Sequence, residues 1–111
     1  MTSSLLRLHE AIVERRSADP ATSRTAKLFA AGRKKIAQKV GEEAVEVAID
    51  AMAEHRDGVI AESADLLYNL SVLWVDLDIN PEEVFEELER REQLYGIAEK
   101  LPKKRGTDDE G

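Results

Sequence analysis

The sequence predicts an all-α fold of four to five helices, and three observations carry that expectation. No segment shows the polar–apolar alternation of a half-buried strand bounded by turns. Apolar residues recur instead at helical spacing, as in Leu5, Leu8 and Ile12 with Leu6 and Val13 beside them. Finally, two consecutive segments repeat the offsets i, i+3, i+7 in polar residues: Glu43, Glu46 and Asp50 in one, Glu62, Asp65 and Asn69 in the other. Side chains so spaced lie along one stripe of a helix.

Taken in order, a first helix is capped by Ser3 or Ser4 and runs to about Arg16, where Ser17 to Pro20 breaks it. A second begins near Ser23 and ends at Gly32, read as the residue just past the C-cap. Arg33 opens the first acidic-stripe helix, expected to continue to about His55. Asp57-Gly58 then forms the turn, and the second stripe helix spans roughly Val59 to Leu77. Asn80-Pro81 restarts the chain as N-cap and first helical residue. Glu82, Glu83, Glu86 and Glu87 suit the positive end of this last helix, Val84, Leu88 and Leu94 carry its apolar side, and Gly96 loosens its end. The expected organisation is one domain over residues 1–101 and a polar, mobile tail over residues 102–111, with Lys103, Lys104 and Arg105 in it.

Composition narrows the function. The 111 residues suffice for one domain with a core, and 42 % are hydrophobic but only 5 % aromatic, so that core is mainly Leu, Ile, Val and Ala. There is no cysteine, which excludes disulfides, thiolate zinc sites and cysteine nucleophiles and fits a reducing, cytoplasmic setting. No apolar run is long enough to span a bilayer, and the N-terminus has no apolar segment of signal-peptide type, so no membrane partner is expected. The net charge of −7 argues against nucleic acid as a partner. A phosphorylated small molecule stays open, because metal ions can bridge two anionic partners.

The acidic stripes are the informative feature. At about 100° per residue, Lys39, Glu43, Glu46 and Asp50 fall within an arc of roughly 60°, and Glu62, Asp65, Asn69 and Asp76 do the same. Both stripes border the apolar face, with Val40 and Val47 beside Glu43, and Leu66 and Leu73 beside Glu62. An ordinary surface helix sets its charges opposite the core. If the two helices pack antiparallel, Glu43, Glu46, Glu62 and Asp65 share a partly buried space, which is costly unless cations neutralise them. Mg²⁺ suits such a site, since it takes carboxylates and keeps waters for a phosphate-bearing substrate. The competing reading is a solvated acidic face.

Glu42-Glu43-x-x-Glu46, fifteen residues, then Glu62-x-x-Asp65 resembles the EExxE…ExxD signature of the all-α nucleoside-triphosphate pyrophosphohydrolase (MazG-type) superfamily. Within it the chain is most similar to the phosphoribosyl-ATP pyrophosphatases of histidine biosynthesis, from about Thr25 to Glu92. TAKLFAAG (Thr25–Gly32), KIAQKVGEEAVE (Lys35–Glu46), ESADLLYNL (Glu62–Leu70) and NPEEVFEELERR (Asn80–Arg91) carry the likeness. One departure is Arg24, where that family often has an aromatic, and it bears on local packing at the start of its helix.

The resemblance implies Mg²⁺-dependent hydrolysis of phosphoribosyl-ATP to phosphoribosyl-AMP and pyrophosphate by a homodimer whose helices complete four-helix bundles. It implies Glu43, Glu46, Glu62 and Asp65 as metal ligands, with Glu42 at the margin as a base or as support for the ligands. Asn69 would orient a phosphate or a water, and Lys39 and Lys35 would face phosphates. Plainer readings stand beside these. Lys39 is four residues before Glu43, the spacing of a helix ion pair worth a few tenths of a kcal/mol. Lys34 and Lys35 equally suit a solvated surface, His9 and His55 are read as surface residues, and Trp74 and Leu77 as core or dimer interface. Two other functions compete: a house-cleaning nucleoside-triphosphate pyrophosphohydrolase, and a helical dimerisation module with no chemistry.

Overall fold

Helices alone make up the regular structure of residues 2–95, the part of the chain that the computed structural model describes. They are α1 (Thr2–Arg15), α2 (Arg24–Ala31), α3 (Arg33–Met52), α4 (Arg56–Asp76) and α5 (Pro81–Tyr95). Gly96, the residues expected as a tail from Pro102, and the basic run Lys103 to Arg105 lie outside the described residues. The chain divides into two compact units, Met1–Pro81, which holds α1 to α4, and Glu82–Gly111, of which α5 is the described part. Among the described residues no helix is long and apolar enough to cross a membrane.

In the first unit α3 and α4 form an antiparallel hairpin, the most extensive packing between any two helices. At its open end Arg33 Nε meets Asp76 Oδ2 at 2.6 Å. At its closed end only Ala53, Glu54 and His55 connect the helices, and Glu54 takes a left-handed φ of 58° to make the turn. α1 and α2 pack across one side of α4 and the beginning of α3. The core there is Ile12 from α1, Leu28 from α2, Ile36 from α3 and Val72 and Val75 from α4, with Leu8, Phe29, Tyr68 and Leu73 against it. Arg16 adds to this layer: its guanidinium lies 5.1 Å from the centre of the Phe29 ring and donates to the Val75 carbonyl at 3.4 Å.

Local signals place α2. Asp19 accepts the Ala21 N–H on its side chain, at 3.0 Å, and the Thr22 and Ser23 N–H groups on its carbonyl, which closes the turn after α1. Ser23 then caps α2, its Oγ accepting from the Ala26 N–H at 3.1 Å. Gly32 ends α2 at φ 100°, a conformation that β-carbon sterics deny to other residues, and its carbonyl receives the Ile36 N–H that opens α3.

Four sequence expectations are corrected. Ser3 and Ser4 lie inside α1, which starts at Thr2, and the Ser4 hydroxyl receives Arg7 instead of capping. α3 stops at Met52, short of His55. Asp57-Gly58 is not the turn but the first turn of α4. There Asp57 favours the positive end of the helix, and Gly58 has a packing reason. A β-carbon at Gly58 would sit 2.6 Å from Asp50 Oδ2 and 2.8 Å from His55 Nδ1. Finally, His9 is not a surface residue: it is half-buried, its Nδ1 is enclosed without a hydrogen-bond partner, and it lines a cavity of about 260 Å³. In the second unit, α5 leaves Leu88 and Leu94 exposed and Val84 and Phe85 half-buried. Glu87 there takes Arg90 at 2.7 Å and Arg91 at 3.0 Å.

Candidate active site

The α3–α4 hairpin brings the two acidic stripes face to face. Antiparallel pairing matches Arg33 with Asp76 and Asp50 with Gly58, so the middle of α3 meets the first half of α4. Glu62 and Asp65, one turn apart, both turn toward α3. One carboxylate oxygen from each of Glu43, Glu62 and Asp65 lies within 4.8 Å of the other two, and all three side chains are half-buried.

The charges respond to this crowding. The Glu62 carboxyl is raised from an ordinary 4.5 to about 7. A hydrogen bond with the Glu43 carboxyl is the largest cause, and it forms only while one of the two holds a proton. Lost hydration and the charges of Glu43, Glu46 and Asp65 push the same way. Glu43 Oε1 is enclosed with no hydrogen-bond donor. A buried carboxylate oxygen without a donor, facing two further carboxylates, is the environment that a hard cation satisfies. The donor set therefore fits Mg²⁺: oxygen only, anionic, and half-exposed, which leaves room for the waters that this ion keeps.

The other candidates separate from this trio. Glu46 is exposed, one turn along α3 from Glu43, and its charge reaches Glu62. Glu42 is exposed and accepts from Gln38 Nε2 at 2.9 Å. Asp50 is drawn toward the closed end of the hairpin, 3.6 Å from His55 Nδ1. Asn69 has 0 % exposure. Its Nδ2 donates to the Asp65 carbonyl at 2.9 Å, and its Oδ1 is enclosed without a partner. Lys39 is half-buried and Lys35 exposed, and neither makes a hydrogen bond or ion pair among the described residues, so the Lys39–Glu43 helix pair does not form. Sequence reasoning missed a group beside the trio. Tyr68, three residues beyond Asp65, shares a 2.7 Å hydrogen bond with the Thr25 hydroxyl, and Arg24 lies over its ring at 5.1 Å. The separation of 43 positions between Thr25 and Tyr68 leaves no local pattern to read.

Comparison with known proteins decides the family. The sequence model described as phosphoribosyl-ATP pyrophosphohydrolase matches residues 5–92. The chain belongs to that family. Relatives include phosphoribosyl-ATP pyrophosphatase 2 of Rhodopseudomonas palustris, 58 % identical over 105 residues, covering 95 % of this chain and 80 % of the relative. Phosphoribosyl-ATP pyrophosphatase 2 of Bradyrhizobium diazoefficiens is 56 % identical over 93 % of this chain and 77 % of its own length. The phosphoribosyl-ATP pyrophosphatase of Rhizorhabdus wittichii is 51 % identical and matches over its full length, 100 %, and 96 % of this chain. Members of the phosphoribosyl-ATP pyrophosphohydrolase family are enzymes, and the acidic stripes of α3 and α4 lie inside the matched span.

Proposed function

We propose that this chain hydrolyses the α–β phosphoanhydride of phosphoribosyl-ATP to phosphoribosyl-AMP and pyrophosphate, a step of histidine biosynthesis. The convergence of Glu43, Glu62 and Asp65 within a chain of this family carries the reading. Glu43, Glu46, Glu62 and Asp65 are the groups that would hold Mg²⁺, Glu46 joining from one turn along α3. The bound ion would supply positive charge that offsets the charge developing on the phosphates and would acidify the attacking water.

The protein's own residues supply the rest. Glu42, exposed at the margin of the cluster, is the proposed acceptor of the water's proton, with Gln38 fixing its position. Lys39 and Lys35, unpaired on the same helix, stand to meet phosphate charge. Asn69 acts from beneath: its amide braces the turn of α4 that presents Asp65, in place of touching a phosphate.

The proposal includes a homodimer and a cytoplasmic location, the latter checked by cell fractionation. Val45, Ile49 and Met52 lie on one stripe of α3 at 57 %, 61 % and 85 % exposure, and Ile60 and Leu67 of α4 are exposed as well. Large apolar side chains exposed along one helix face are a surface that association covers. A second copy that pairs its own hairpin there would complete a four-helix bundle.

The substrate is tested by comparing pyrophosphate release from phosphoribosyl-ATP, ATP, dUTP and dCTP. The reading expects kcat/KM for phosphoribosyl-ATP to exceed the others by at least about a hundredfold, the discrimination expected when a site has groups dedicated to one substrate. Equal turnover of dUTP or dCTP would favour a house-cleaning enzyme, and no turnover of any nucleotide would favour a helical module without chemistry.

A further inference from the structure

A cavity of about 300 Å³ opens where α1, the start of α2 and the middle of α4 meet. That is at the lower end of the size range of small-molecule pockets. Leu8 and Ile12 form an apolar wall, and Arg15, Thr22, Arg24 and Tyr68 supply the polar edge. No carboxylate lines it. In a chain of net charge −7 that is a local reversal of sign. Neither Arg15 nor Arg24 forms an ion pair among the described residues, so both positive charges are unspent.

The polar groups are arranged to donate outward. The Arg24 guanidinium lies over the Tyr68 ring, 5.1 Å from its centre, and makes no hydrogen bond or ion pair among the described residues, so its N–H groups are available to a ligand. The Thr25 and Tyr68 hydroxyls are 2.7 Å apart. Two hydroxyls hold two protons and their mutual bond uses one, so one O–H is left to donate. The first N–H groups of α2, those of Arg24 and Thr25, have no acceptor within the helix, and Ser23 is already committed to Ala26. Guanidinium edges, a spare hydroxyl proton and no competing acid match a doubly charged phosphate, which arginine binds by paired N–H donors.

We propose that this basic cavity binds a terminal phosphate of the substrate without metal, with Arg15 and Arg24 as charged partners and the Tyr68–Thr25 pair as hydroxyl donor. The substrate identity rests on the pyrophosphohydrolase reading above. The position suits it: Tyr68 is three residues beyond Asp65 on α4, about 4.5 Å along the axis. A substrate with phosphates at both ends then has two unlike anchors, acids with metal for one phosphate group and arginines for another. The terminal phosphate can come from the phosphoribosyl end or from the triphosphate end, and the cavity chemistry is the same for both.

The test uses the full chain in EDTA, where the acids repel phosphates and binding reports on basic groups, which the arginine variants then assign to the cavity. Ribose 5-phosphate and pyrophosphate are titrated separately while amide resonances are followed. The proposal expects saturable shifts at Arg24, Thr25 and Tyr68 with at least one of the two. Ribose 5-phosphate assigns the cavity to the phosphoribosyl end, and pyrophosphate to the triphosphate end. Binding should weaken about tenfold in Arg24→Gln and in Arg15→Gln, the loss of one charge-assisted contact, and stay unchanged in the control Arg56→Gln. Binding of neither probe, or binding as tight as wild type in either cavity variant, overturns the proposal. In turnover, Arg24→Gln should raise KM for phosphoribosyl-ATP about tenfold while lowering kcat much less, with part of the loss restored in Arg24→Lys. An unchanged KM in Arg24→Gln, with a wild type that turns the substrate over, refutes the cavity and leaves the function standing. Arg24-dependent binding in a protein that releases no pyrophosphate from phosphoribosyl-ATP supports the cavity and removes the function.

Discussion

In the metal-free protein Glu62 shares a hydrogen bond with Glu43 and titrates at about 7 instead of 4.5. A raised folded-state value means that the native protein holds this proton more tightly than the unfolded chain. The stability it contributes is fully present below about 4.5 and is lost as pH rises through about 7. Melting of the metal-free protein should therefore shift to higher temperature between pH 8 and pH 5.5, and Glu62→Gln should flatten that rise. A wild-type melting temperature that falls over the same interval would count against the crowded-carboxylate account. Glu87 behaves oppositely: Arg90 and Arg91 hold it down at about 2, so its contribution is present above 4.5 and fades only toward strong acid. At the same scale, Glu46→Gln keeps the side-chain shape but removes a charge from the cluster. Activity should fall at least about a hundredfold, more than the loss from disturbing groups that merely support metal ligands, with the fold retained by circular dichroism. Wild-type turnover of this variant at saturating Mg²⁺ would remove Glu46 from the ligand set.

Helix boundaries show what a sequence can and cannot disclose. Ser23, Gly32 and Asn80-Pro81 are legible because their reasons are local: a hydroxyl reaching its own N-terminus, a φ of 100°, a ring that pre-sets the first helical residue. Removing the cap in Ser23→Ala should cost about 1 kcal/mol by chemical denaturation. Asp57-Gly58 misleads because its reason is tertiary. Its glycine makes room for Asp50 and His55 from the other side of the turn, which no dipeptide rule contains. Gly58→Ala should accordingly destabilise the wild type, whereas in the double background Asp50→Ala, His55→Ala it should recover the helix preference of alanine, a gain of up to about 1 kcal/mol. Equal effects in both backgrounds would show that Asp50 and His55 are not the obstacle. The acidic stripes are legible from angular offset along each helix, whereas the meeting of Glu43 with Glu62 and Asp65 depends on α3 and α4 packing antiparallel. The Arg24–Tyr68–Thr25 group is not, because only the packing of α2 against α4 joins its members.

Across the whole molecule, α3 buries a single residue, Ile36, and leaves Val45, Ile49 and Met52 exposed. A 20-residue helix so sparsely covered draws little stability from its own chain. The account expects a dimer at micromolar concentration by light scattering, and a monomer with a lower melting temperature in the double variant Val45→Glu, Ile49→Glu, because charges cannot be buried unpaired at an apolar interface. A wild type that stays monomeric would contradict it. The central claim is that the acids of α3 and α4 are a working metal site for a phosphorylated substrate and not a solvated surface. The direct measurement is pyrophosphate release from phosphoribosyl-ATP, with and without Mg²⁺, by the wild type and by Glu43→Gln, Glu62→Gln. The account predicts release by the wild type that requires Mg²⁺, and none above background by the double variant. Release that ignores Mg²⁺, or that survives the loss of both carboxylates, would contradict it.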